Sequence, residues 1–320
     1  MKTESFYKLS IEQVFEVCES CGFEPTGEYF QLNSYENRVF DLFLEGEGKP
    51  HIINKVYRPG RWSLEAIKEE HDFLNELKSQ GIPAVAPLEI DGETTFIKND
   101  MIFSFFPKAI GRMPQELSHS DLRQLGSQLA KLHNVGAQQV AKHRPTLDIG
   151  SFGWDSLDFV EPWVAAEVWP RYEKAACAIL NFLDEELDDS QLIRIHGDCH
   201  KGNILQTDPL GGQKELFFVD FDDFINGLPV QDFWMLFSGD ESENSEELEA
   251  FLKGYEDLRF FDRSQLRLMA AFRGLRIIYY AHWIAKRWED PSFPKLFPEF
   301  RNYVYWAEEV EALEKISWQL

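Results

Sequence analysis

Apolar positions in the first third of the chain repeat at two different periods. Ile11, Val14, Phe15 and Cys18 recur at steps of three and four behind Ser10, which predicts a capped helix from Ile11 to Cys21 that Gly22 ends. Tyr29 to Leu32, Arg38 to Leu44 and His51 to Tyr57 read as strands, with turns at Asn33-Ser34 and around Gly46-Glu-Gly48. A helix follows from Leu64 to Leu77 and is broken by Gly81-Ile-Pro83. Val85 to Ile90, Thr94 to Lys98 and Met101 to Phe106 then supply the remaining strands of an N-terminal sheet. The aromatic stretch from Phe105 to Gly111 reads as a hinge. This sets the division near Ile110, with residues 1–110 as one lobe and 111–320 as the other.

Beyond the hinge the pattern turns helical. Leu122, Leu125, Leu129 and Leu132 predict a core helix that Ser120 caps and that runs through His133, itself read as a packed or capping histidine. Trp163 to Leu187 is mostly helical. Leu192, Ile193 and Ile195 form a short strand. Ile204 and Leu205 turn through Asp208 to Gly212 into Leu216 to Val219, a strand that ends on Asp220. Helices are expected from Val230 to Phe237, near Leu248 to Tyr255, from Ser264 to Trp288 and finally to Ile316, with an acidic loop from Gly239 to Glu247. The fold class is therefore α+β, a mainly β N-lobe carrying a helix and a mainly α C-lobe.

At 320 residues the chain suits two lobes better than one core. No apolar run is long enough to span a membrane, and the first residues do not read as a signal peptide. The 32 basic against 55 acidic residues give a formal charge of −23, which disfavours nucleic acid and anionic membrane as partners. Of the four cysteines, Cys18 and Cys21 fall one helical turn apart without a second pair. Reduced thiols are expected there in preference to zinc or a disulfide framework. The expectation is a cytoplasmic monomer.

The chemistry concentrates in Arg194-Ile-His-Gly-Asp-Cys-His-Lys-Gly-Asn203 and in the strand ending at Asp220. Phosphoryl-transfer sites place an Asp beside the attacking hydroxyl, an Asn five residues on at the metal, and a further Asp after the next strand to grip that metal. Asp198, Asn203 and Asp220 have that spacing. Asp198 and Asp220 are therefore the candidate catalytic residues. Asn203 and Asp220 are the candidate ligands of Mg²⁺, a hard ion suited to oxygen donors. Asp and Asn also cap turns, but capping explains one residue and not the set. His196 reads as a support of the loop, and Asp222 as a surface carboxylate, with a second metal site as the alternative.

Lys55 lies in an apolar strand, an odd place for a charge unless it is used. An ammonium there can reach the α and β phosphates of ATP if a carboxylate holds it, and Glu70 projects beside the packed face of the following helix to do so. Snorkelling at a strand edge is the competing account of Lys55. Glu69, one position round, is expected to be solvated. Backbone amides and the Ser34 hydroxyl can donate to phosphate oxygens. An ordinary Asn-Ser hairpin turn is the other reading, and the sequence leaves both open.

The His196-to-Asn203 loop resembles the signature of the aminoglycoside and choline phosphotransferases. More closely, Leu32-Asn-Ser-Tyr-Glu-Asn-Arg-Val39, Lys55-Val-Tyr-Arg-Pro59, His196-Gly-Asp-Cys-His200 and Gln231-Asp-Phe-Trp-Met-Leu236 resemble the bacterial stress response kinase A family. That resemblance implies a two-lobed protein kinase-like fold, nucleotide contact at Ser34, and an ATP-dependent kinase acting on serine or threonine hydroxyls of proteins. Asn226-Gly-Leu-Pro229 runs directly into a helix, as in aminoglycoside-type enzymes, and Asp232 is expected to bond the catalytic-loop backbone there. With no activation segment after Asp220, a small-molecule alcohol is the alternative acceptor.

Overall fold

Ser10 opens the first helix, α1 (Ile11–Ser20), in a reciprocal capping box with Gln13. The computed structural model describes residues 6–48, 50–207, 214–237 and 245–320, so the expected turn from Asp208 to Gly212 and most of the acidic loop after Gly239 lie outside the described residues. Five antiparallel strands follow, with one helix inserted. They are β1 (Pro25–Leu32), β2 (Arg38–Leu44), β3 (His51–Tyr57), α2 (Leu64–Ser79), β4 (Phe96–Lys98) and β5 (Met101–Pro107), and the sheet order is β1-β2-β3-β5-β4. This makes β3 the central strand, with Lys55 in register between Val39 and Ser104. Residues 85–90 do not form the expected strand. Pro87 has no N–H to give a ladder, and pairing is reduced to Leu88 donating to the Phe105 carbonyl at 2.7 Å and an isolated bridge between Ile90 and Glu93.

The C-terminal part starts with α3 (His119–Gly136). Its cap is Ser118 and not Ser120, because Asp121 reaches back to the Ser118 amide while Ser118 Oγ accepts from the Asp121 amide. A π-helical turn (Gly150–Trp154) leads into α4 (Asp155–Val160), and α5 (Trp169–Glu186) begins six residues later than expected. Pro170 explains the delay, since proline is tolerated only in a helix's first turn. Then come β6 (Ile193–Ile195), β7 (Ile204–Gln206), β8 (Leu216–Phe218), β9 (Ile225–Gly227), α6 (Pro229–Trp234), α7 (Ser245–Glu256), α8 (Leu268–Lys286), α9 (Phe293–Leu296) and α10 (Tyr303–Ser317). β6 pairs with β9 and β7 with β8, so the catalytic-loop segment lies between two separate ladders and not at one end of a single small sheet.

Two apolar cores result. One lies under the sheet, where Val14 and Cys18 of α1 meet Phe40, Val56 and Phe105. The other runs from Phe73, Leu74 and Leu77 of α2 through α3, α5 and α8. Within it Phe221 and Phe224 pack on Phe73, with ring centroids 5.9 and 5.4 Å apart, and this fixes the segment after Asp220 against the helix that carries Glu70. Burial pushes the Cys18 thiol up to about 12, as expected of an inert packed cysteine. Among the described residues no helix is long and apolar enough to cross a membrane.

Candidate active site

Lys55 is 7% exposed, and three carboxylates surround its ammonium: Asp222 at 3.1 Å, Glu70 at 3.3 Å and Asp220 at 3.6 Å. Burial alone would lower its pKa. Asp222 and Glu70 outweigh that and hold it well above the usual lysine value. The two carboxylates differ in character. Burial raises Glu70 to about 7 against the pull of Lys55, whereas Lys55, Arg61 and Arg144 overcome burial at Asp222 and hold it well below the usual range. Asp222 is thus the carboxylate held most firmly ionised beside Lys55.

Asp222 was read as a surface carboxylate, and the structure corrects this. It is 3% exposed, with Arg61 Nη1 at 2.6 Å and Lys55 on its other oxygen. Arg144 donates to the Asp222 and Phe224 carbonyls and stacks over Trp62 at 3.9 Å. Glu69 is corrected as well. Its carboxylate is not simply solvated but accepts from the Lys142 and His143 amides at 2.6 and 2.7 Å, tying α2 to the loop that carries Arg144.

The catalytic loop leaves β6 through His196 and Gly197. Gly197 has φ +80°, and a Cβ there would stand 2.2 Å from the Asp223 carbonyl, so only glycine makes this turn. Asp232 accepts from the His196 and Gly197 amides, each at 2.9 Å, as expected. Asp232 is in turn bonded to His133 at 3.0 Å, and His133 to Tyr255 at 2.8 Å, all inside the core. The Asp198 amide donates to His196 Nδ1, which puts the proton on Nε2, where it reaches the Val219 carbonyl at 3.0 Å. His196 thus joins the Asp198 and Asp220 segments.

Both oxygens of Asp198 are engaged. Oδ1 meets Arg276 of α8 at 3.0 Å, and Oδ2 meets the Asn203 amide nitrogen at 3.2 Å and His200 at 3.5 Å. Burial would raise its pKa, but His200 and Arg276 bring it down to about 2. Asn203 spends its nitrogen on Asp198, which leaves its amide oxygen for a cation. Val219, the residue before Asp220, donates to the Asn203 carbonyl at 3.0 Å, so Asn203 and Asp220 are neighbours.

Asp220 adopts a left-handed backbone at φ 60° and ψ 70°, a cost of ~1–2 kcal/mol for a residue with a side chain. Its side chain is 55% open to solvent. Enclosure by the cleft raises its pKa, Lys55 opposes the rise, and Asp222 and Asp223 add to it. A divalent cation would relieve that crowding. One neutral and one charged oxygen donor fit a hard ion that keeps water and phosphate ligands. Among the described residues no cluster of three or more His, Cys, Asp and Glu offers a rival metal site.

Ser34 stands apart from this group. It is exposed in the β1–β2 connection, where its Oγ accepts from the Asn37 amide at 3.2 Å. The next residue but one, Glu36, is buried and receives Arg58 at 3.0 Å, Arg287 at 2.5 Å and the Trp283 indole, so the connection is fastened to α8. Arg61, Arg144, Arg276 and Glu36 were not singled out from the sequence as site residues. The available signals were an arginine after Pro59-Gly60, one inside His143-Arg-Pro145, and Arg276 within an apolar helical stripe.

Fold and site together define a two-lobed, protein kinase-like phosphotransferase. Residues 31–269 match the phosphotransferase enzyme family. Stress response kinase A of Escherichia coli (strain K12) is 33% identical over 314 residues, which cover 95% of this chain and 92% of that protein. The serine/threonine protein kinase RdoA of Salmonella typhimurium (strain LT2) gives the same identity and coverage. The chain belongs to the phosphotransferase enzyme family, in its stress response kinase A branch, and is an ATP-dependent kinase. Among solved structures, an amicoumacin kinase in complex with AMP-PNP and Ca²⁺ superposes with a TM-score of 0.75 at 18% identity over 98% of this chain and 96% of that one. A microcompartment-associated aminopropanol kinase gives 0.69 at 19% identity over 95% of both chains. At these identities the likeness is one of fold.

Proposed function

We propose that this chain transfers the γ-phosphoryl group of ATP, with Mg²⁺, to a serine or threonine hydroxyl of a protein in the cytoplasm. The observation that carries the reading is the meeting of Lys55 from the sheet with Asp220 from the far lobe, 3.6 Å apart, beside the Asp198–Asn203 pair. Lys55 exchanges its contact with Asp222 for the α and β phosphates, and Glu70 keeps it in place. Ser34 and its neighbouring amides would reach the phosphates from the β1–β2 connection, where Ser34 is exposed. Asn203 and Asp220 would hold Mg²⁺, which would neutralise charge on the phosphate oxygens. Asp198 orients the acceptor hydroxyl. As the hydroxyl oxygen bonds to the γ-phosphorus and the bond to the β-phosphate oxygen breaks, its proton passes to Asp198 and ADP leaves. A carboxylate held near a pKa of about 2 is a weak base, so orientation carries more of its contribution than early proton removal. Support for a protein acceptor comes from the relative named a serine/threonine protein kinase.

One observation favours a small-molecule alcohol instead: only a 3-10 turn (Phe221–Asp223) and β9 separate Asp220 from α6, with no longer segment on which a protein substrate would dock. Incubation with γ-labelled ATP and, in parallel, a basic protein, choline, homoserine and aminoglycosides decides between them. Label on protein serine or threonine is expected. Label confined to a small molecule would reverse the assignment.

A further inference from the structure

A narrow cavity of about 70 Å³ opens beside the catalytic loop, with Gly197, the neighbour of Asp198, in its lining. Trp62, Phe152, Trp234, Phe272 and Tyr279 supply aromatic walls, and the half-buried Met235 lies among them. An amino alcohol or aminoglycoside would need a free carboxylate here. The only acidic residue on the lining is Asp223, and Arg61 already holds it at 2.5 Å. Arg276, also on the lining, is paired with Asp198 and repels a second cation. The aromatic walls make a poor ammonium cage, since the Trp62 face already carries the Arg144 guanidinium at 3.9 Å. Size argues against an aminoglycoside in particular, since sites for drug-sized ligands are roughly 300–1,000 Å³, well above this one.

The geometry points to a side-chain subsite for the acceptor polypeptide, which takes one short apolar side chain, that of valine, leucine or isoleucine, near the phosphorylated serine or threonine. This rests on the protein-acceptor reading and goes beyond it by specifying what flanks the hydroxyl. Because the cavity adjoins the residue next to Asp198, and an extended chain advances only ~3.3–3.6 Å per residue, the apolar residue falls within two positions of the acceptor.

The test is a positional-scanning library of serine and threonine peptides, phosphorylated by the intact protein with ATP. An apolar pocket discriminates about 10- to 200-fold against a missing alkyl group, so valine, leucine or isoleucine at one position within two of the acceptor should exceed glycine there by at least about tenfold in kcat/KM. Met235→Trp fills the cavity and should abolish the preference by raising the KM of the apolar peptide. Met235→Phe serves if the larger ring does not fold. Peptide phosphorylation with no apolar preference, or a preference that survives the filled cavity, overturns the subsite while leaving the protein-kinase reading intact. Label appearing only on choline or an aminoglycoside overturns that reading and the subsite with it.

Discussion

Lys55 shows how one buried cation organises several acids. Asp222 stands nearest to it at 3.1 Å, and Glu70, whose pKa burial raises to about 7, follows at 3.3 Å. Behind Glu70, His71 is 1% exposed between Tyr57 at 2.9 Å and Thr94 at 2.7 Å, and burial lowers its pKa to about 3. An unfolded histidine titrates near 6.5. Between those values the unfolded chain binds a proton that the folded chain does not, so stability is fully present above pH 6.5 and is lost as pH falls, by up to about 1.4 kcal/mol per unit. Urea midpoints at pH 7 and pH 5 should show the wild type losing about 2 kcal/mol more than His71→Asn. Equal losses would show that His71 takes up its proton without unfolding. At this scale the grouping of Asp198, Asn203 and Asp220 was legible from their spacing, and that of Lys55 and Glu70 from a charge set in an apolar strand and a carboxylate beside a packed helix face. Asp222 was not, since a carboxylate is buried only when cations arrive from elsewhere, here Arg61 and Lys55, and pattern along one segment does not reveal that.

Elements transmit order to the catalytic loop through a close crossing. A Cβ on Gly254 of α7 would lie 1.9 Å from the Arg123 carbonyl of α3, and one on Gly126 2.1 Å from the Phe251 carbonyl, so the two helix backbones touch. From that crossing Tyr255 bonds His133, His133 bonds Asp232, and Asp232 holds the loop amides. Gly254→Ala should therefore destabilise the fold by ~1–3 kcal/mol and also lower kcat, read as a denaturant midpoint together with steady-state rates. Loss of stability with kcat unchanged would sever α7 from the loop. The helices were largely legible from periodicity. The exceptions have local causes: the Ser118–Asp121 box displaced the α3 start from Ser120, Pro170 delayed α5, and proline kept residues 85–90 from pairing as a strand.

Over the whole molecule, a chain of net charge −23 gathers Lys55, Arg61 and Arg144 around the buried Asp222. Glu36 fastens the β1–β2 connection to Arg287 and Trp283 of the opposite lobe, and Arg58 joins Glu36 at 3.0 Å to Asp290 at 2.8 Å, so one cluster of ion pairs bridges the lobes. The pairs between lobes join residues more than two hundred positions apart, and no local pattern announces them. The central claim is that Asp198 and Asp220 serve one phosphate-handling centre. Single-turnover transfer from γ-labelled ATP, measured for Asp198→Ala and Asp220→Ala after circular dichroism has shown both to be folded, tests it most directly. Both variants should lose at least about 100-fold in rate. Near-normal transfer by either one would contradict the account.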